Sequence, residues 1–391
     1  MRVVHLEADY WGHGKLDGTQ PRHLVHTELN ESLSSAELSV ERVEVPPAET
    51  HRLIRRREGK RVSRILQRIA DRMRLAKRDL GVFVSIWRST RGADVLLTTQ
   101  GLGIRASLLK RLWLPVPRIV AICYDPFPVL DGGRSELSYK QRLEVKLRKA
   151  VYSGFAAMVL VSEEQESLIR PYLPEALAVH FLPMAIDNRT FFPVPRKRAN
   201  FVFMVDGALR DYELVRDAIC SGKSSVNHLV IAHRHQLSSS RLRALKQIET
   251  CGIQVTLRPN ATAAELRQLY SECAAVIVPV RKSLQPAGLT ALLEAMATGS
   301  PVVCPNSFWV RDYAVPGRDV LTYEEGDSST LAASIRQIVH DPGLANAIGR
   351  SAQEVSLKYS FANSRKSMRK ILLSVYSDGQ ENAEATPSPL S

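Results

Sequence analysis

The run Pro279-Val-Arg-Lys-Ser-Leu-Gln-Pro-Ala-Gly-Leu-Thr-Ala-Leu-Leu-Glu-Ala-Met-Ala-Thr-Gly-Ser-Pro-Val-Val303 gathers residue types that handle anions. Arg281 and Lys282 supply two cations, and Gly288 stands where an apolar helix opens. Leu289, Leu292, Leu293 and Met296 recur at helical spacing. The first turn of such a helix has backbone N–H groups without intrahelical partners, which makes it an anion site. The backbone at Gly288, Leu289 and Thr290 is therefore a candidate diphosphate cradle. Glu294 is the one ionisable residue between Lys282 and Arg311. It lies about 9 Å along the helix axis from Gly288, a distance that suits a carboxylate accepting from the hydroxyls of a ribose. Taken singly, each feature has a plainer reading: a solvated helix glutamate, a loop cation, a turn glycine.

These residues need a scaffold that brings them to one edge. The sequence predicts strands at Arg2–Leu6, Leu38–Val45, Ala93–Thr99, Arg118–Cys123 and Ala156–Ser162, with polar or glycine-bearing loops after the third and fourth. A helix is expected over Pro21–Leu33, after a turn-rich loop Tyr10–Gly18. A second series has strands at Phe201–Val205, Val226–Ala232, Gln254–Leu257, Ala274–Pro279 and Pro301–Cys304. Helices at Asp211–Cys220, Ser240–Glu249, Ala263–Glu272, Leu289–Thr298 and Ser328–His340 alternate with them. Strands alternating with helices predict an α/β fold with parallel, doubly wound sheets. Ligands of such sheets bind at the carboxyl ends of the strands, so two of them place a ligand in the cleft between. The expected division is an amino domain over 1–193, a carboxyl domain over 194–356, a returning helix over 357–376 and a disordered tail over 377–391.

The 391 residues carry a net charge of +13, with 45% hydrophobic and 24% charged residues, as in soluble globular chains. No apolar run reaches the length of a membrane span, and the start turns acidic too early for a signal peptide. Five cysteines, none in a CxxC pair, argue against a disulfide scaffold or a structural zinc site. Cys123, Cys273 and Cys304 read as buried thiols, and a cytoplasmic location follows. Window 51–80 holds 12 basic against 3 acidic residues. Its apolar positions Val62, Ile65, Leu66, Ile69 and Met73 predict a helix that covers a sheet or docks peripherally on an anionic membrane surface. No recognition motif or aromatic platform indicates nucleic acid.

The string Gly288-Leu-Thr-Ala-Leu-Leu-Glu-Ala-Met-Ala-Thr-Gly-Ser-Pro-Val-Val resembles the donor-site signature of retaining GT-B glycosyltransferases of family 4, the group 1 type. Further segments agree with it: Val161-Ser162-Glu163, Pro183 to Asp187 with Phe191-Phe192-Pro193, Arg210-Asp211-Tyr212, and Asp341-Pro342. The resemblance covers about 150–360 and is topological over 1–150. It implies a GT-B fold, two facing Rossmann-like domains with a terminal helix crossing back. It also implies a hexosyltransferase-type enzyme that moves a sugar from a UDP- or GDP-linked donor to an acceptor hydroxyl, without cofactor or metal. The acceptor class, lipid-linked, glycan or small molecule, stays open. Glu294 would bind the ribose. Arg210, with Lys282 or Arg281, would neutralise the leaving diphosphate.

The chain departs from the family at four places, one of them a glycine-to-glutamate spacing one residue longer than the common pattern. The partner position for Glu294 is Pro286, with Gln285 the nearest polar candidate for a sugar contact. Met184-Ala185 replaces the usual Asn-Gly. Tyr124-Asp125 stands where many members have His-Asp, leaving Asp125 as a candidate near acceptor or sugar. His13 is a candidate general base. An epimerase or phosphorylase on the same fold, or a scaffold without catalysis, are the alternatives.

Overall fold

A computed structural model describes residues 1–8, 38–45, 83–130, 137–195 and 199–384. The loop 10–18 with His13, the helix over 21–33, the basic window 51–80, linker residues 196–198 and the last residues of the tail lie outside them.

Among the described residues two six-stranded sheets form, every strand pair in them parallel. The first contains β1 (Arg2–Ala8), β2 (Ser39–Val45), β3 (Val95–Thr99), β4 (Arg118–Cys123), β5 (Phe155–Leu160) and β6 (Ala178–Phe181), in the order β2-β1-β3-β4-β5-β6. The second contains β7 (Val202–Val205), β8 (His228–His233), β9 (Gln254–Pro259), β10 (Ala275–Ile277), β11 (Val302–Pro305) and β12 (Leu321–Tyr323), in the order β12-β11-β10-β7-β8-β9. The inner strands are almost wholly buried, as expected when helices cover both faces of a parallel sheet. The edge strands β6 and β12 were not foreseen. They are short, and β6 is only half-buried, so neither leaves a continuous apolar run to read.

Helices α1 (Gln100–Arg111), α2 (Tyr139–Tyr152) and α3 (Glu163–Ile169) belong to the first sheet. Helices α4 (Tyr212–Cys220), α5 (Ser239–Thr250), α6 (Ala263–Glu272), α7 (Leu289–Ala297), α8 (Ser328–His340) and α9 (Pro342–Ser356) belong to the second. The glycine-bearing loop expected after β3 is in fact α1. Gly101 and Gly103 suggested a turn, but a Cβ on Gly103 would approach the Ala121 Cβ to 3.1 Å and the Phe155 ring to 3.2 Å. That glycine is there so the helix can lie against the sheet.

The last helix, α10 (Phe361–Glu384), returns to the amino-terminal sheet. Phe361, Met368, Ile371, Leu372 and Val375 join Val3, Val95, Leu97, Val120 and Val159 in one core. Arg118 Nη1 donates to the carbonyls of Val375 and Tyr376, each at 2.9 Å. The helix does not end near 376. Once a helix is nucleated each added residue costs little, and the polar stretch that suggested a tail simply prolongs it.

The cysteine reading also changes. Cys220 at the end of α4 and Cys251 capping α5 form a disulfide, with Cα atoms 5.6 Å apart. The packing of two helix ends brings together residues 31 positions apart. Cys123, Cys273 and Cys304 form no disulfide among the described residues and are buried. Among the described residues no helix is long and apolar enough to cross a membrane.

Candidate active site

The order of the second sheet reverses between β7 and β10, the neighbours from which the chain winds outward in both directions. Such a switch point opens a crevice at the carboxyl ends of the strands. The loops after these two strands are tied together across it. Arg210 pairs with Val280 in an antiparallel bridge. The Asp211 N–H donates to the Pro279 carbonyl at 3.0 Å, and the Arg281 N–H donates to the Leu209 carbonyl at 2.9 Å. Leu209 takes φ +56°, a conformation costly for a branched side chain.

Gly288 opens α7 with φ +93° and has no side chain to cap it. A Cβ there would lie 2.6 Å from Val278 Cγ1, 3.1 Å from Val280 Cγ2 and 3.2 Å from Arg210 Nη1. Only glycine fits, and the guanidinium of Arg210 sits directly over the amino end of α7. Arg210 is buried. Its Nε donates to the Val205 carbonyl at 2.9 Å, while Nη1 has no partner among the described residues. Burial holds its pKa below the ordinary arginine value, yet arginine stays charged in proteins. A buried cationic N–H without an acceptor is costly. Together with the unpaired N–H groups of the helix end it presents donors that suit an anion.

Outside this point a pocket of about 280 Å³ is lined by Arg210, Tyr212, Glu213, Ser238, Arg241 and Arg281 among others. Arg241 was not singled out in the sequence. Its Nη1 lies 2.8 and 2.9 Å from the two Asp206 oxygens, and its Nη2 donates to the Gly207 carbonyl at 3.0 Å. Nothing in the spacing of α5 separates it from Arg243; the tertiary fold selects it. Arg281 lines the same pocket but is engaged by Glu213 at 3.2 Å and Asp211 at 3.7 Å. Lys282 is 81% exposed and 4.0 Å from Glu325. Gln285 is partly buried; its N–H donates to Ser283 Oγ at 2.9 Å. Neither Lys282 nor Gln285 lines this pocket.

Glu294 is buried on α7, one and a half turns beyond Gly288. Tyr270, on α6, donates its hydroxyl to Oε2 at 2.8 Å. Burial pushes the carboxyl up to about 8, while the Tyr270 hydroxyl and the charge of Arg234 pull it partly back. Glu294 and Thr290 line a second, small pocket, of about 10 Å³, with Asp187, Thr190, Phe191 and Phe361. The acid thus faces the junction where the chain passes between the domains. Thr290 Oγ1 lies 3.5 Å from Met184 Sδ. Leu289 is fully in the core and contributes only its backbone.

Asp125 lies at the end of β4 and lines neither pocket. Its carbonyl accepts from Gln100 Nε2 at 2.9 Å. The domains meet beside it: Gln165 Nε2 donates to the Tyr124 carbonyl at 3.0 Å and to the Leu284 carbonyl at 2.7 Å. Asp312 accepts from Ser162 Oγ at 2.5 Å and from the Glu163 N–H at 2.9 Å. Tyr313 donates to the Val161 carbonyl at 2.5 Å and accepts from the Met184 N–H at 2.8 Å. Sequence reasoning missed Gln165, Asp312 and Tyr313, which are polar residues with no periodic signature. Among the described residues no cluster of His, Cys, Asp or Glu is arranged to hold a metal ion.

Residues 205–355 match the family model described as glycosyl transferases group 1. No curated protein matches the sequence. Sucrose-phosphate synthase from Thermosynechococcus elongatus superposes with a TM-score of 0.73 at 15% identity, over 96% of this chain and 99% of that one. Anabaena HepE, solved in complex with UDP and glucose, gives 0.67 at 14% identity over 96% and 100%. A glycosyltransferase from Rickettsia africae gives 0.66 at 11% identity over 96% and 98%. At these identities the likeness establishes a shared fold. The chain has the two-domain GT-B architecture, and within it residues 205–355 match the glycosyl transferases group 1 model.

Proposed function

We propose that the protein transfers a sugar from a nucleotide-sugar donor to an acceptor hydroxyl. Arg210 and the backbone N–H groups at Gly288–Thr290 grip the diphosphate, and Glu294 accepts from the ribose. Arg281 adds positive potential, and Lys282 reaches the departing diphosphate after a rotamer change. Gln285 contacts the sugar. Asp125 works on the acceptor side, in the amino domain. Stabilising the charge that develops on the leaving nucleoside diphosphate is the principal catalytic contribution. Retention of anomeric configuration and a hexosyl group are the finer reading, supported by the likeness of Gly288–Val303 to the family's donor segment. The complex of HepE with UDP and glucose makes a uridine donor the first to try.

One observation carries this reading: the Arg210 guanidinium, buried, with Nη1 lacking an acceptor among the described residues and poised over the amino end of α7. Incubating the protein with UDP- and GDP-linked hexoses and a panel of acceptor glycans and lipids tests it. A glycosylated product, with the anomeric coupling constant of the donor, is expected. An epimerised sugar nucleotide formed without acceptor contradicts it. Tight nucleotide binding with no turnover on any acceptor favours the scaffold reading, for which the buried Pro286 at the family's first glutamate position is the motivating observation.

A further inference from the structure

Helix α2 shows an outer face unlike that of a solvated helix. Tyr139, Leu143 and Leu147 recur every fourth residue along it and are all exposed, Tyr139 at 81% and Leu147 at 60%. Lys140, Arg142, Lys146 and Lys149 flank this stripe and are exposed too. The one acid of α2, Glu144, is half-buried and paired with Arg148 at 2.9 Å. The stripe is therefore apolar with a predominantly basic border.

The end of α1 extends the same surface. Ser107 Oγ donates to the Val151 carbonyl at 2.6 Å, and Arg111 Nη2 donates to the Ala150 carbonyl and, at 3.1 Å, to Ser153 Oγ. Leu112 and Trp113 follow at once, 69% and 95% exposed. The Trp113 N–H donates to the Lys110 carbonyl and the Leu114 N–H to the Leu109 carbonyl. This is the Schellman closure of a helix, in which the residue after the cap is left-handed and usually glycine. Trp113 occupies that position at φ +60°. A bulky aromatic held in a strained conformation and turned into water pays twice in free energy. Monomeric proteins keep such apolar surface small unless it meets something.

We propose that this surface, Tyr139, Leu143 and Leu147 of α2 with Leu112 and Trp113, lies on an anionic lipid bilayer. The charge complementarity argues for lipid: six exposed cations, Lys110, Arg111, Lys140, Arg142, Lys146 and Lys149, border the apolar residues, against one acid on the two helices, Glu144, which is paired with Arg148. Aromatic and leucine side chains entering the interface under a basic rim are the pattern of a helix lying in the membrane plane. The surface shares no residue with the basic window 51–80, and it does not depend on the reading of the donor site.

The full chain is co-sedimented with vesicles of phosphatidylcholine alone and of phosphatidylcholine with phosphatidylglycerol, at low and high salt. Binding to the anionic vesicles is expected, weakened by salt because the cations contribute. The triple variant Trp113→Ser, Leu143→Ser, Leu147→Ser is expected to lose at least about tenfold in vesicle affinity with an unchanged melting temperature, since all three side chains face solvent. Variant Lys146→Glu with Lys149→Glu is expected to lose binding to anionic vesicles while keeping any weak binding to neutral ones. Absence of vesicle binding, or binding that survives the triple substitution, overturns the proposal. So does a dimer in solution that the triple substitution dissociates without any lipid binding, since that result assigns the face to a second copy of the chain.

Discussion

The Tyr270 hydroxyl donates at 2.8 Å to the carboxylate of Glu294, joining α6 to the acid that faces the domain junction. Both side chains are buried. The bond fixes where the carboxyl points before any ligand arrives, so the acid is preorganised on a rigid helix pair.

Burial leaves Glu294 with a pKa of about 8, against an ordinary 4.5. An acid whose folded value lies above its unfolded value binds its proton more tightly when folded. Its favourable contribution is complete below pH 4.5 and is lost as pH rises to about 8. Glu294→Gln keeps the acceptor for Tyr270 and removes the titration. The variant is expected to melt at a higher temperature than wild type at pH 8 and to show no such gain near pH ~5. Calorimetry at the two pH values decides; equal gains at both would mean that the acid is ionised in the folded protein.

Gly288→Ala is expected to be the most damaging single-methyl change in the carboxyl domain. The new Cβ would meet Val278 Cγ1 at 2.6 Å in a backbone conformation of φ +93°. A loss of about 2–3 kcal/mol follows from the strain and the clash. Urea denaturation measures it, and a loss below about 0.5 kcal/mol would show that the start of α7 is looser than described.

Asp312 joins the carboxyl domain to the start of α3 through Ser162 and the Glu163 N–H. Asp312→Ala removes a charged acceptor from two donors and is expected to cost about 1.5–3 kcal/mol. Small-angle scattering should report a more open average arrangement of the domains. An unchanged scattering curve and melting temperature would contradict a structural role for this contact.

The segment 279–303 was legible because its chemistry and its helix share one stretch of chain: the 3.6-residue period, the opening glycine and the single acid are all local. The doubly wound pattern was legible for the same reason, since each buried strand is a continuous apolar run. What could not be read depends on residues far apart. Arg241 enters the pocket only because α5, packed against α4, carries it to Asp206 just past β7. Cys220 and Cys251 meet only because two helix ends do. Gly103 looks like a turn signal until the Phe155 ring beside it explains the missing side chain. Arg281 reads as a free cation in sequence, yet Asp211 and Glu213 approach it once the loops after β7 and β10 are bridged.

Titration calorimetry with UDP and GDP on the native protein and on Arg210→Met bears most directly on the proposed diphosphate grip. Removing a buried cation from bound phosphates costs about 2–5 kcal/mol, so the variant should bind the better nucleotide at least about thirtyfold more weakly. It should remain folded, because the substitution also removes a buried nitrogen that has no acceptor among the described residues. Equal affinity in the two proteins, or no affinity of the native protein for either nucleotide, would contradict the account.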